Sequence, residues 1–191
     1  MNIDCVERHF RALMVEGLGM DCKDPNLCDT PNRVARMYCE EFFHNIDKEF
    51  EDFKAFPNEH GYDQIIVSDK VFFTSICAHH FLPFSGLAWV LYIPKDKLVG
   101  ASKLARLVEH YARRPQLQEN LCHEVLNRLV SGVDPHAAMV VLRGIHDCMM
   151  CRGVRQTNGA GFITSSVYGY FKEDLSTKQE ALNLIQLSTQ M

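Results

Sequence analysis

The chain has 191 residues, enough for one domain with a substantial core and long for two. Hydrophobic residues make up 47% and charged residues 23%, with a formal net charge of −4, so this is a soluble globular composition without the global basic field of a nucleic-acid binder. No apolar run approaches a membrane span, and Asn2 to Arg8 lacks signal-peptide character, so the expected location is cytoplasmic, with neither membrane nor nucleic acid as partner.

The first predicted helix covers residues 4 to 16, with Val6, Phe10, Leu13 and Met14 on one face and Gly17 at its end. A second opens at Asp29-Thr30-Pro31, capping side chains followed by a proline at the first helical position, and carries Val34, Met37, Tyr38 and Phe42 at helical spacing. Residues 45 to 63 read mostly as loop. From there the pattern turns β, with strands expected over 64–67, 71–76 and 87–93. Gly100-Ala101-Ser102 offers a cap for a helix with Leu104, Leu107, Val108 and Tyr111 on one stripe, broken at Arg114-Pro115. Another helix follows through Leu117, Leu121, Val125 and Leu129, ending near Gly132. Strands return over 139–145 and 162–171, and Ser176 with Gln179 has capping-box spacing for a closing helix. The order predicts an α+β fold, an antiparallel sheet with helices packed on one face, as one structural unit: an N-terminal helical region over 1–63 and a catalytic region over 64–191.

Eight cysteines in such a chain read as reduced thiols, some of them ligands, rather than as a disulfide frame. Cys77-Ala78-His79-His80 places a thiol and an imidazole at chelating spacing, and a second cluster follows in His146-Asp147-Cys148-Met149-Met150-Cys151. Two arrangements fit. Cys77, His80 and Cys148 can hold zinc with an open fourth position, as catalytic sites do, or Cys151 can close a four-ligand structural site. His79 and His146 beside the ligands favour the open site, because imidazole moves protons near neutral pH and a structural site has no use for it. The nucleobase-deaminase pattern is absent: no proline precedes Cys148, and no His-x-Glu feeds the site.

Basic residues cluster locally at Lys103, Arg106, Arg113, Arg114, Arg152 and Arg155, which in an acidic protein suits a small anionic ligand. Lys103 and Arg106 lie off the apolar stripe in the first turns of their helix, beside Ser102. Two cations at a helix N-terminus oppose its dipole, an arrangement that a bound phosphate relieves. On the next helix Gln118 and Glu119 stand together. A carboxylate there can accept paired hydrogen bonds from the N1–H and exocyclic amine of guanine, which adenine cannot offer; an exposed polar pair is the plainer reading.

Ser75-Ile76-Cys77-Ala78-His79-His80-Phe81-Leu82-Pro83-Phe84, Gly100-Ala101-Ser102-Lys103-Leu104-Ala105-Arg106, Arg114-Pro115-Gln116-Leu117-Gln118-Glu119 and His146-Asp147-Cys148-Met149 together resemble the GTP cyclohydrolase I family. The likeness reaches back to Asp29–Ala35 and forward to Thr164-Ser165 and Gly169–Phe171. It implies a tunnelling fold whose sheets close into a barrel across subunits, a homodecamer with active sites between subunits, and hydrolytic opening of the guanine imidazole ring of GTP to dihydroneopterin triphosphate and formate. By the same resemblance zinc sits on Cys77, His80 and Cys148, and Cys151 is free. His79 and His146 handle protons, with Ser102 near the reacting sugar. Lys103, Arg106, Arg152 and Arg33 hold triphosphate, and Glu119 and Gln118 hold guanine and ribose. The chain departs from the family at Ala78, where Glu is usual, and in Leu142-Arg143-Gly144-Ile145, where a more acidic or small-residue strand end is expected. The rival reading on the same fold is a non-catalytic, zinc-stapled oligomeric binding protein using Cys77, His80, Cys148 and Cys151.

Overall fold

The computed structural model of the chain describes residues 1–156 and 161–190. These form two compact units, Met1–Ile46 and the described residues from Asp47 onward. In the first unit, helix α1 (Ile3–Ala12) widens into a π turn over Leu13–Gly17, and α2 (Thr30–Arg36) does the same over Met37–Phe42. The Asn2 side chain caps α1 by accepting from the Cys5 N–H at 2.9 Å. Asp29 makes no such side-chain bond to α2, so Pro31 in the first turn, with its fixed φ, is the start signal that remains. Glu7 ties the two helices together, accepting from Arg11 at 3.1 Å and from Asn32 at 2.8 Å.

The second unit is built on a five-stranded sheet. Its strands are β2 (Ile66–Cys77), β3 (Pro83–Ile93), β5 (Pro115–Gln116), β6 (Ala137–His146) and β7 (Phe162–Gly169), in the order β5-β2-β3-β6-β7. All neighbours run antiparallel except the short β2–β5 pairing. Two three-residue strands that the sequence did not signal, β1 (Ala55–Pro57) and β4 (Lys97–Val99), pair separately. The expected break between 67 and 71 is a shift in register between Ser68 and Val71 within one continuous strand, where Lys70 adopts a left-handed φ of 48°.

Alternation along β3 and β6 supplies apolar surface on both faces. Ala88, Val90, Tyr92, Ala138, Val140 and Leu142 pack beneath α3 (Ala101–Ala112) and α4 (Gln118–Val133). Leu107, Leu121, Val125 and Leu129 from these helices are fully buried, each stabilising by roughly 1.5–3 kcal/mol relative to exposure. The intervening Trp89, Leu91, Ile93, Ala137, Met139 and Val141 face the other way. They meet Phe171 of α6 (Tyr170–Glu173) and Ala181 of α7 (Leu175–Gln190), with α5 (Asp147–Met150) a single turn after β6. Helices α3 and α4 thus share one face as expected, while the closing helix α7 lies on the opposite one.

Gly169 ends β7 earlier than residue 171. Its φ is 60°, and a Cβ there would lie 2.0 Å from the His136 carbonyl, so the chain turns into α6 at the one residue that tolerates both. The start of α7 is capped by Asp174, which accepts from the N–H groups of Ser176 at 3.3 Å and Thr177 at 2.9 Å, rather than by Ser176 itself. Among the described residues, no helix is long and apolar enough to cross a membrane.

Candidate active site

Three strand termini meet at one end of the sheet. β2 stops at Cys77, the chain turns through Ala78–Phe81, and β3 begins at Pro83, with Phe84 opposite His146 at the end of β6. The turn is closed by the Cys77 N–H donating to Leu82 and the Phe81 N–H donating to Cys77, both at 2.9 Å. Phe81 adopts a left-handed φ of 54°, which costs a side chain about 1–2 kcal/mol. That sharp reversal leaves His79 and His80 exposed, with ring planes at 89°.

From the other strand α5 carries Cys148 inward. The ligand atoms of Cys77, His80 and Cys148 lie within 4.8 Å of one another. Both thiols are buried. Burial pushes the Cys148 thiol up from its ordinary value, and the neighbouring Cys77 thiol adds to the rise. Two crowded sulfurs and an imidazole are the donor set that a borderline-soft divalent cation satisfies. Cys151 is exposed at the end of α5 and falls outside this group. Arg152 comes alongside, its Nη1 3.1 Å from His80 Nε2.

His146 is held on three sides. Its ring stacks on Phe84 at 4.4 Å with planes 4° apart, and Phe162 meets it edge-on at 6.0 Å. Its Nε2 is 3.0 Å from Gln118 Oε1. Burial lowers its pKa below the usual imidazole value, against an opposing pull from the Glu119 and Asp147 carboxylates. Gln118 itself is buried at the first residue of α4, with Nε2 directed at the Leu142 carbonyl (3.2 Å), the Phe162 carbonyl (2.9 Å) and Thr164 Oγ1 (3.1 Å). This amide, expected from the sequence at the substrate, is engaged with protein atoms, whereas Glu119 beside it is exposed.

Lys103 and Arg106 do project together from the start of α3, and the anion between them belongs to the chain. Asp52 accepts from Lys103 Nζ through both carboxylate oxygens and from Arg106 Nη1 at 3.1 Å. These bonds, Lys103 foremost, hold the Asp52 carboxyl below its ordinary range. Nothing in the local sequence marked Asp52, an acidic residue in an irregular stretch. Ser102 is exposed one residue inside α3, whose cap position is Gly100. Arg33 is exposed on α2 of the first unit.

Strand-borne and helix-borne sulfur, flanked by two imidazoles and a guanidinium, define an α+β protein whose sheet end carries a Cys-His-Cys cluster compatible with a metal. The family profile of GTP cyclohydrolase I matches residues 6–186. GTP cyclohydrolase 1 of Bacillus subtilis (strain 168) is 41% identical over 187 residues, covering 97% of both chains. The enzyme of the same name from Desulforamulus reducens is 42% identical over 179 residues, covering 92% of this chain and 94% of that one. A solved archaeosine synthase QueF-Like structure aligns at a TM-score of 0.44 and 18% identity, over 56% of this chain and 94% of that one. The chain belongs to the GTP cyclohydrolase I family, and its fold is the tunnelling fold of that family.

Proposed function

We propose that the chain opens the imidazole ring of GTP hydrolytically, giving 7,8-dihydroneopterin triphosphate and formate. The observation that carries this reading is the convergence of Cys77, His80 and Cys148 within 4.8 Å, with Cys151 outside the group. Zinc is the metal the donor set favours, and when bound it supplies Lewis-acid activation of water. His79, exposed on the turn, donates a proton to guanine N7, making C8 electrophilic. After formate leaves, His146, His79 and Ser102 move protons during opening of the ribose and ring closure. Glu119 accepts from the N1–H and exocyclic amine of guanine. Lys103, Arg106, Arg152 and Arg33 hold the triphosphate, whose greater charge displaces Asp52 from the first two.

The working form we infer is a cytoplasmic homodecamer with active sites between subunits, its sheets closed edge to edge into a barrel, and neither membrane nor nucleic acid as partner. The test is incubation of zinc-loaded protein with GTP, following pterin fluorescence and released formate. Zinc binding without either product would leave the non-catalytic, metal-stapled reading in possession.

A further inference from the structure

The buried amide of Gln118 determines more than its own position. Leu142 and Phe162 present carbonyl oxygens to one end of it, at 3.2 and 2.9 Å, and carbonyls only accept. That end is therefore the NH₂, and the end facing His146 is the oxygen. An oxygen 3.0 Å from His146 Nε2 requires that nitrogen to carry a hydrogen. In the neutral ring the lone pair then resides on Nδ1.

Gly144 makes this arrangement possible. It lies in β6 two residues before His146, and a Cβ built there would be 2.3 Å from Gln118 Oε1. With the amide nitrogen already held on its far side, Oε1 has nowhere to withdraw without leaving His146. Stacking on Phe84 fixes the ring plane, so the hydrogen bond selects which nitrogen is protonated.

We propose that Gln118 is a positioning residue that locks His146 as the neutral Nε2–H tautomer, leaving Nδ1 as the nitrogen that exchanges protons with the substrate. The inference rests on the reading of His146 as a proton-handling group. The amide acts as the orienting member of a pair, as the carboxylate does in a hydrolase triad.

The test uses zinc-loaded, full-length protein labelled with ¹³C,¹⁵N-histidine. The difference spectrum against His146→Asn isolates the His146 ring, whose Cγ and Cδ2 shifts distinguish the two neutral tautomers. The Nε2–H pattern is expected in the wild-type protein, and its loss or mixing in Gln118→Ala. In steady-state assays Gln118→Ala should lower kcat for GTP by about 10–100-fold with KM nearly unchanged, the usual cost of losing a residue that orients a working histidine. Gly144→Ala should reproduce that loss by crowding the amide off the ring, and should add little in the Gln118→Ala background. An Nδ1–H ring in the wild type, a rise in KM at constant kcat, or additive losses in the double variant would overturn the proposal. If wild-type protein forms no pterin, the functional reading fails and the catalytic half of the proposal with it, while the tautomer spectrum still decides what Gln118 does to His146.

Discussion

The pair Cys148→Ser and Cys151→Ser separates an open metal site from a closed one. Cys148 is buried within the 4.8 Å group, and Cys151 is exposed outside it. Two thiolates at that 4.8 Å limit repel by about 3 kcal/mol at an effective dielectric constant of 20, and by more at any shorter separation. The same crowding, added to burial, raises the Cys148 thiol. A divalent cation reverses the sign of this term, so zinc binding draws on both sulfurs. Serine at position 148 stays protonated near neutral pH and coordinates weakly, leaving only Cys77 and His80. Zinc affinity should then fall by at least about 10²-fold, more than losing a residue that merely orients a ligand, and pterin formation should fall with it. Cys151→Ser changes an exposed thiol and should shift stability by no more than about 0.5 kcal/mol, with one zinc per subunit retained. Zinc stoichiometry by competition with a chromophoric chelator, measured beside pterin fluorescence, reads both effects. Equal damage from the two substitutions would refute the three-ligand reasoning.

Glu119→Ala should weaken GTP more than inosine triphosphate, because inosine lacks the exocyclic amine; a charge-assisted bond of roughly 1.5–3 kcal/mol corresponds to about 10–100-fold in relative kcat/KM. Equal loss on both nucleotides would make Glu119 structural. Lys103→Ala should raise KM for GTP, whereas Asp52→Asn should lower it by a factor of about 2–5, since an exposed competing ion pair is removed and both cations are kept. A raised KM in Asp52→Asn would show that Asp52 orients the cations instead of competing for them. Asp174, held well below the usual carboxylate range by Thr177 and Ser176, contributes its capping above the unfolded-state pKa of about 4 and loses it as pH falls further. Hydrogen exchange in the first turn of α7 should therefore be faster in Asp174→Ala than in wild type at pH 7, and the difference should shrink towards pH 3; a constant difference would assign the protection to packing.

Periodicity located α3, α4, β6 and the core of β3 well, because their apolar positions repeat with the spacing of the elements that bury them. It failed where the determinant was a single local geometry. The register shift at Ser68–Val71 reads as a gap between strands because a bulge interrupts the alternation without ending the pairing. The converging group of Cys77, His80 and Cys148 was legible from Cys77-x-x-His80 and from the second thiol cluster, since chelating donors leave short-range spacing in the chain. The choice between Cys148 alone and Cys148 with Cys151 was not. It depends on how far a four-residue helix rotates after β6, which no sequence pattern reports. Asp52 was invisible for a related reason. Its partners lie 51 and 54 residues away, and an isolated acid in a loop carries no signature.

The unusual segment Leu142-Arg143-Gly144-Ile145 acquires a physical reason in the fold. β6 must do two incompatible things within five residues. It packs Leu142 fully into the core beneath the helices, and it delivers His146 to the open end of the sheet. Between them the strand passes under the first residue of α4, where the Gln118 amide bridges β6 and β7. Any side chain at position 144 would occupy the space of that amide's oxygen, so only glycine permits β6 and α4 to approach this closely. The Gln118 nitrogen consequently serves the sheet while its oxygen serves His146. A small residue in the strand is thus the steric condition for a buried polar contact at the site, and the helix that shields the core also sets the orientation of an imidazole outside it.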